Sequence, residues 1–252
     1  MQRAPKAVAA ESGDGAKQRA RGRRVVSNVE LVILEDAEEV AAVVAERLAR
    51  ATREGGNVVL TGGTTPEQAY REAAKRAPDW SKVDVWFGDE RCVPPDHEHS
   101  NFLMAKLALL DRLDVAPKAV HRMKGELGKE AGAADYEREL GDTRLDLLLL
   151  GLGSDGHIAS LFPDAPTLQQ QERVLPAVAG LEPFIDRVTL SLPAINGAQE
   201  ILFVISGESK ADAVQRAFGR EPSPETPASL VRATEGSCTA ILDRAAAAAL
   251  PA

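Results

Sequence analysis

Apolar positions along this chain follow two alternating rhythms. Short aliphatic runs occur as VVSNVELVIL at 25–34, NVVL at 57–60, VDVWF at 83–87, DLLLL at 146–150, RVTLSL at 187–192, EILFVIS at 200–206 and CTAILD at 238–243. Each has the length and side-chain content of a strand. Between them the period lengthens to that of a helix. After Asp36, a suitable N-cap, DAEEVAAVVAERLARATRE puts Val40, Val43, Val44 and Leu48 on one face, and Gly55-Gly56 closes the segment. Further helices are predicted at about 66–76, 100–111, 130–140 and 208–219, and the closing AAAAALPA predicts a short helical tail. Leu147–Leu150 is apolar throughout, which suits a strand covered on both faces and hence a parallel sheet. Strands alternating with helices predict an α/β fold, a three-layer αβα sandwich around a mostly parallel, Rossmann-like sheet. No repeat or long linker interrupts it, so residues 25–252 are expected to form a single domain.

Composition narrows the function more than the fold. The 252 residues are 44% hydrophobic and only 4% aromatic, with a formal net charge of −8. Few aromatics and an acidic balance argue against a nucleic-acid reader built on stacking and basic grooves. Two cysteines, Cys92 and Cys238, are too few for a disulfide scaffold and are not spaced as a zinc site. No run approaches the ~18 apolar residues of a membrane span, and no secretory signal is visible, so a cytoplasmic protein with no membrane partner is expected. The charge is uneven. Residues 1–24 carry seven basic and two acidic side chains, a net of +5, which leaves −13 for residues 25–252. With Val8 as their one large aliphatic residue, residues 1–24 read as a disordered basic tail.

Gly151-Leu-Gly153-Ser-Asp-Gly156 has dinucleotide-site spacing, but the context is wrong. Such a site needs a helix to start inside the motif, and Pro163 and Pro166 follow too soon for a long one. Asp155 would also put a carboxylate among the anion donors. The glycines instead predict a tight turn at the end of a central strand, where open α/β sheets hold their ligands.

Three strand-end segments carry candidate chemistry. In Leu60-Thr61-Gly62-Gly63-Thr64-Thr65-Pro66, Thr65 suits an N-cap and Pro66 the first helical position. Free N–H groups and hydroxyls there suit a phosphate monoester, and the P-loop lysine of nucleotide sites is absent. Phe87-Gly88-Asp89-Glu90-Arg91 brings two carboxylates and a guanidinium to a strand end. They could steer sugar hydroxyls, orient a histidine or clamp an anion. Ser154-Asp155-Gly156-His157 places a histidine beside the glycine turn, where it could move protons near neutral pH. Asp96-His97-Glu98-His99 lacks a third cluster to complete a metal site, so no metal is expected. Lys210 and Arg187 each sit at the start of an element, and each needs an acidic neighbour, Glu208 in the case of Lys210, or an anionic ligand.

Taken together, LTGGTTP, VWFGDERCVPPDHEHSNF, GLGSDGHIASLFPD, RVTLSLPAI and the SGESK turn resemble the 6-phosphogluconolactonase family, within the wider glucosamine-6-phosphate deaminase/isomerase fold group. The resemblance covers about residues 30–245. It implies hydrolysis of 6-phospho-D-glucono-1,5-lactone in the oxidative pentose phosphate pathway without metal or organic cofactor. It implies a phosphate on Gly62, Gly63, Thr64 and Thr65, neutralised by Lys210 and by Arg187 or Arg91. His157 is then the general base, with Asp89 or Asp155 orienting it. Asn101 binds a sugar hydroxyl, and the glycine turn or Arg91 serves the oxyanion. The deaminases are the alternative, but they continue after Asp-Gly-His-Ile-Ala with Phe-Asn-Glu-Pro, where this chain has Ser160-Leu161-Phe162-Pro163. They also read Asp-Glu-Tyr where Asp89-Glu90-Arg91 stands here. A non-enzymatic sugar-phosphate sensor is a third reading, disfavoured because His157 and the acid pair remain.

Overall fold

The computed structural model describes residues 22–251 except residue 27. Eleven strands run in chain order as β1 (Gly22–Val26), β2 (Val29–Leu34), β3 (Gly56–Leu60), β4 (Val83–Phe87), β5 (Asp89–Arg91), β6 (Ala119–Val120), β7 (Leu147–Leu150), β8 (Val174–Ala177), β9 (Arg187–Leu190), β10 (Glu200–Ile205) and β11 (Ser237–Asp243). Six α-helices lie between them: α1 (Ala37–Glu54), α2 (Thr64–Arg76), α3 (Asn101–Ala108), α4 (Lys129–Leu140), α5 (Leu192–Asn196) and α6 (Ala211–Phe218).

Eight strands form the main sheet in the order β1-β2-β11-β10-β7-β3-β4-β6, and all pairs but β1–β2 are parallel. Along β7, Leu148 and Leu150 enter one core cluster with α4 and α6, while Leu147 and Leu149 enter the other with α1, α2 and α3. That split is the direct consequence of period-two side chains in a sheet covered on both faces. The expected αβα sandwich is therefore the fold. α1 also forms as expected, with the Asp36 carboxylate accepting from Glu39 N at 2.9 Å and Val40, Val44 and Leu48 buried.

Three local expectations need correction. The run at 25–34 is two strands of a hairpin, because Asn28 takes φ 69 and Val26 pairs back onto Val29. Asparagine tolerates that left-handed turn, and the flanking valines mask it in the hydrophobic pattern. Gly22–Arg24, counted with the basic tail, open β1, and residues 1–21 of that tail lie outside the described residues. Third, the alanine-rich end forms successive turns over 244–249 rather than a helix. The Asp243 carboxylate takes the N–H groups of Ala246 and Gly207 and ties that end to the loop after β10.

A second sheet, β5-β9-β8, is antiparallel and includes RVTL as its middle strand. Neither β5 nor β8 is visible in the apolar pattern. β5 is three polar residues made into a strand by its partner, and β8 carries Pro176, tolerated because β8 is an edge. The central strands β10, β7, β3 and β4 are neighbours and parallel, so their C-terminal loops meet at one edge. The chain goes outward in opposite directions from β3 and from β7, which makes the seam between them a topological switch point.

Candidate active site

At the end of β3, Gly63 takes φ 111 and is itself the N-cap of α2. The helix thus starts at Thr64, and Pro66 is its third residue rather than its first, correcting the expected Thr65 cap. Proline is tolerated throughout a first turn because those N–H groups have no intrahelical partner, so it does not mark the start uniquely. Gly63 and Thr64 are exposed to the cleft. Beneath them, the buried Tyr70 hydroxyl donates to Thr61 O and accepts from Thr61 N, both at 2.8 Å. Thr65 Oγ1 lies 2.7 Å from Ser206 Oγ, which joins the loop to the end of β10. A Cβ on Gly62 would overlap the Asn101 carboxamide, so this position demands glycine.

Past β4, three side chains of β5 have different fates. Asp89 accepts from Asn101 Nδ2 at 3.1 Å and from Ser160 Oγ at 2.6 Å. Glu90 is buried and accepts from Arg91 N, Asn101 N and Phe102 N at 2.8 Å each and from Ser100 Oγ at 3.0 Å. Burial raises its pKa, and the hydrogen bonds offset part of that rise. It anchors the start of α3 and does not line the cleft. Arg91 donates to His99 O at 2.6 Å and lies across the ladder from Arg187. Asn101 lines the cleft, but its amide nitrogen is already committed to Asp89 O and Oδ1. Next to Arg91, burial pushes the Cys92 thiol up to about 11, so it is no ready nucleophile.

The glycine turn after β7 folds back on itself. Gly153 N donates to His157 O and Gly156 N to Gly153 O, with Gly156 at φ 99. This brings Asp155 Oδ1 to 2.6 Å from His157 Nδ1, and the same oxygen accepts from His157 N at 3.1 Å. Burial opposes ionisation of Asp155, but the hydrogen bonds from His157 outweigh it and hold the carboxyl below its ordinary value. With Nδ1 held as donor, Nε2 is the nitrogen left with a lone pair. A Cβ on Gly153 would overlap the His157 ring and the Asp155 carboxylate. Of the two carboxylates that the residue order leaves open, Asp155 holds the imidazole, and Asp89 is engaged elsewhere.

These segments enclose a cleft of about 230 Å³ lined by Gly62, Gly63, Thr64, Thr65, Asp89, Arg91, Asn101, His157 and Lys210, among others. Beside it a smaller cavity of about 120 Å³ is shared by Asp89, Arg91, His157 and Arg187. Lys210 is half-buried; burial lowers its pKa and Asp155 opposes the shift. It makes no ion pair with Glu208 or any other described residue. His97, His99 and His121 line neither cavity, and no group of three His, Cys, Asp or Glu among the described residues is placed to hold a metal.

Four contributors escape sequence reasoning: Tyr70, Ser160, Ser206 and Arg216. Arg216, on α6, donates to Ser154 O at 2.7 Å and Asp155 O at 2.9 Å, gripping the histidine turn from outside. Its sequence neighbourhood carries no signal of that contact. Tyr70 had one available cue, a tyrosine amid alanines on the buried face of α2.

At the switch point of an αβα sheet, the N-terminus of α2 and Lys210 thus share a cleft with an acid–histidine pair, the setting of an enzyme site. Residues 34–240 match the family model described as glucosamine-6-phosphate isomerases/6-phosphogluconolactonase, and the chain belongs to that family. Within it, the chain is 37% identical over 248 residues to the 6-phosphogluconolactonase of Streptomyces coelicolor, covering 88% of this chain and 95% of the relative. The 6-phosphogluconolactonase of Synechocystis is 37% identical over 207 residues, 78% of this chain and 85% of the relative. The crystal structure of 6-phosphogluconolactonase from Thermotoga maritima aligns with TM-score 0.75 and 31% identity, over 84% of this chain and 98% of that one.

Proposed function

We propose that this protein is a hydrolase that opens 6-phospho-D-glucono-1,5-lactone to 6-phosphogluconate, in the cytoplasm, as a step of the oxidative pentose phosphate pathway. The observation that carries this reading is the Asp155–His157 pair at 2.6 Å in the wall of a cleft that also presents the α2 N-terminus and Lys210. The relatives named 6-phosphogluconolactonase support it.

In this reading the phosphate sits on Gly62, Gly63, Thr64 and Thr65 with Lys210 as counter-charge. His157 Nε2 takes a proton from water as the water oxygen bonds to C1, and the carbonyl electron pair moves onto the C1 oxygen. When that pair returns, the C1–ring oxygen bond breaks and the imidazolium gives its proton to the departing ring oxygen. The carboxylic acid formed at C1 then ionises to solvent. Asp155 stabilises the imidazolium between the two transfers. Asp89, fixed by Asn101 and Ser160, shapes the wall rather than moving a proton. Phe162 stands where the deaminases carry their Glu, with its ring centroid 4.9 Å from that of His157, so proton transfer at a sugar C2 has no carboxyl there.

The test is lactone hydrolysis above the spontaneous rate for wild type and His157→Ala. Removing a positioned general base is expected to lower kcat about 10²–10⁴-fold. Near-wild-type turnover by the variant would remove the base assignment, and ammonia release from glucosamine 6-phosphate would favour the deaminase reading.

A further inference from the structure

We infer that Arg91 and Arg187 form the subsite for the C1 oxygen of the lactone, so that the substrate lies across His157 with its phosphate on the opposite, Gly62–Thr65 side. This rests on the lactonase reading above and adds the direction of the bound substrate and a task for Arg187 other than phosphate neutralisation.

The two arginines are direct partners across β5 and β9, so their side chains leave the same face of the small sheet. Arg187 is only 5% exposed. Its Nη2 donates to Pro183 O at 3.2 Å, while Nε and Nη1 have no hydrogen-bond partner among the described residues, and Arg91 Nε has none among them either. Buried donors of this kind are costly unless an acceptor meets them. The acids nearby are already engaged, Asp89 by Asn101 and Ser160 and Glu90 by its four donors. Burial, and then the charge of Arg91, depress the pKa of Arg187, as expected of a guanidinium without a contacting anion.

The cavity that Arg91 and Arg187 share has His157 in its wall, and so does the larger cleft with Lys210 and the α2 N-terminus. Asp89 and Arg91 line both cavities, so a molecule whose reacting carbon sits at His157 can reach Arg91 and Arg187 with one end and Lys210 and the α2 N-terminus with the other. The proposed reaction has two anionic ends: a phosphate, charged throughout, and the C1 oxygen, which gains charge as water adds. The wider cleft, with backbone N–H groups, hydroxyls and an ammonium, suits the hydrated dianion. The smaller cavity, with the buried Arg187 in its wall, suits the oxygen whose charge develops only during reaction, because donors already fixed in place stabilise a forming charge without reorganising. The carbonyl electron pair is received there on addition of water and returned when the C1–ring oxygen bond breaks, and the product carboxylate remains in the same subsite.

The experiment compares 6-phosphoglucono-1,5-lactone with unphosphorylated glucono-1,5-lactone for wild type, Arg187→Gln, Arg187→Lys and Lys210→Met. Loss of an oxyanion donor is expected to lower kcat for Arg187→Gln about 10²-fold on both lactones, with the ratio of their kcat/KM values within about threefold of wild type. Lys210→Met is expected to raise KM for the phosphorylated lactone and to lower that ratio about tenfold or more. Should Arg187→Gln fail to fold, as judged by its thermal transition, Arg187→Lys decides by the same ratio, since lysine keeps the charge and loses the fork. A ratio that collapses in the Arg187 variants would overturn the inference and put the phosphate on the arginines. Wild type inactive on both lactones would instead sink the lactonase reading itself, and this inference with it.

Discussion

Two glycine turns at neighbouring strand ends draw different chemistry from the same kind of peptide. After β3 the chain passes through Gly62 and Gly63 straight into α2, so the first N–H groups of the helix face the cleft. Following β7, no helix begins. Gly153 N, Gly156 N and His157 N are all bonded within the turn, and what faces the cleft is the His157 side chain with Asp155 behind it. One turn offers its backbone to an anion, whereas the other uses its backbone to aim a side chain. Whether a helix follows decides which, and that is why G-x-G-x-x-G spacing alone misleads at 151–156.

The comparison can be broken most severely at Gly153. Its missing Cβ is the space the His157 ring and Asp155 carboxylate occupy, so Gly153→Ala forces the pair apart. We expect kcat to fall by about 10²–10⁴-fold, as for loss of the base, while affinity for inorganic phosphate at the β3 turn is kept. Steady-state kinetics with phosphate as competitor would check both. Equal losses of phosphate affinity and kcat would mean that the two turns are not separable.

A milder cut is Arg216→Gln. The guanidinium holds the carbonyl oxygens of Ser154 and Asp155 from α6, which starts directly after Lys210. Charge-assisted hydrogen bonds are worth about 1.5–3 kcal/mol each. Relaxing Asp155 on that scale should cost roughly tenfold in kcat with little change in KM. Arg216→Lys should recover part of the loss. An increase in KM alone would show that α6 acts on the phosphate side through Lys210 and not on the histidine turn.

Residue order made much of this site readable, and the unreadable part has a common cause. Gly62–Thr65 and Asp155–His157 are each contiguous, so their local geometry follows from turn and helix rules that a few residues satisfy. The main-sheet strands β3, β4, β7, β10 and β11 were visible as short, mostly apolar runs, whereas β6, two residues long, gave no such run. What stayed hidden depends on chain segments far apart. Arg216 meets Asp155 across 61 positions, and Ser160 meets Asp89 across 71. The choice between Asp89 and Asp155 as partner of His157 was open for the same reason: it turns on which carboxylate already has donors. β5 and β8 were missed because their strand character comes from pairing with β9 and not from their own side chains.

The smallest expected effect sharpens what Asp155 does for the folded state. Its carboxyl is held below the ordinary value in the folded chain, against about 3.9 when unfolded. Between those two values the unfolded chain binds more protons than the folded one, so stability falls as pH drops through that window and is complete above it. Asp155→Asn keeps the size of the side chain and removes the charge, so it lacks this contribution at every pH. The gap in Tm between wild type and Asp155→Asn should therefore be full near pH 6 and shrink as pH falls below about 4. A gap that stays constant from pH 6 to 3 would show that the 2.6 Å contact to His157 does not stabilise the carboxylate. In that case the second turn would aim His157 through its backbone bonds alone, and the contrast between the two strand ends would rest on geometry without charge.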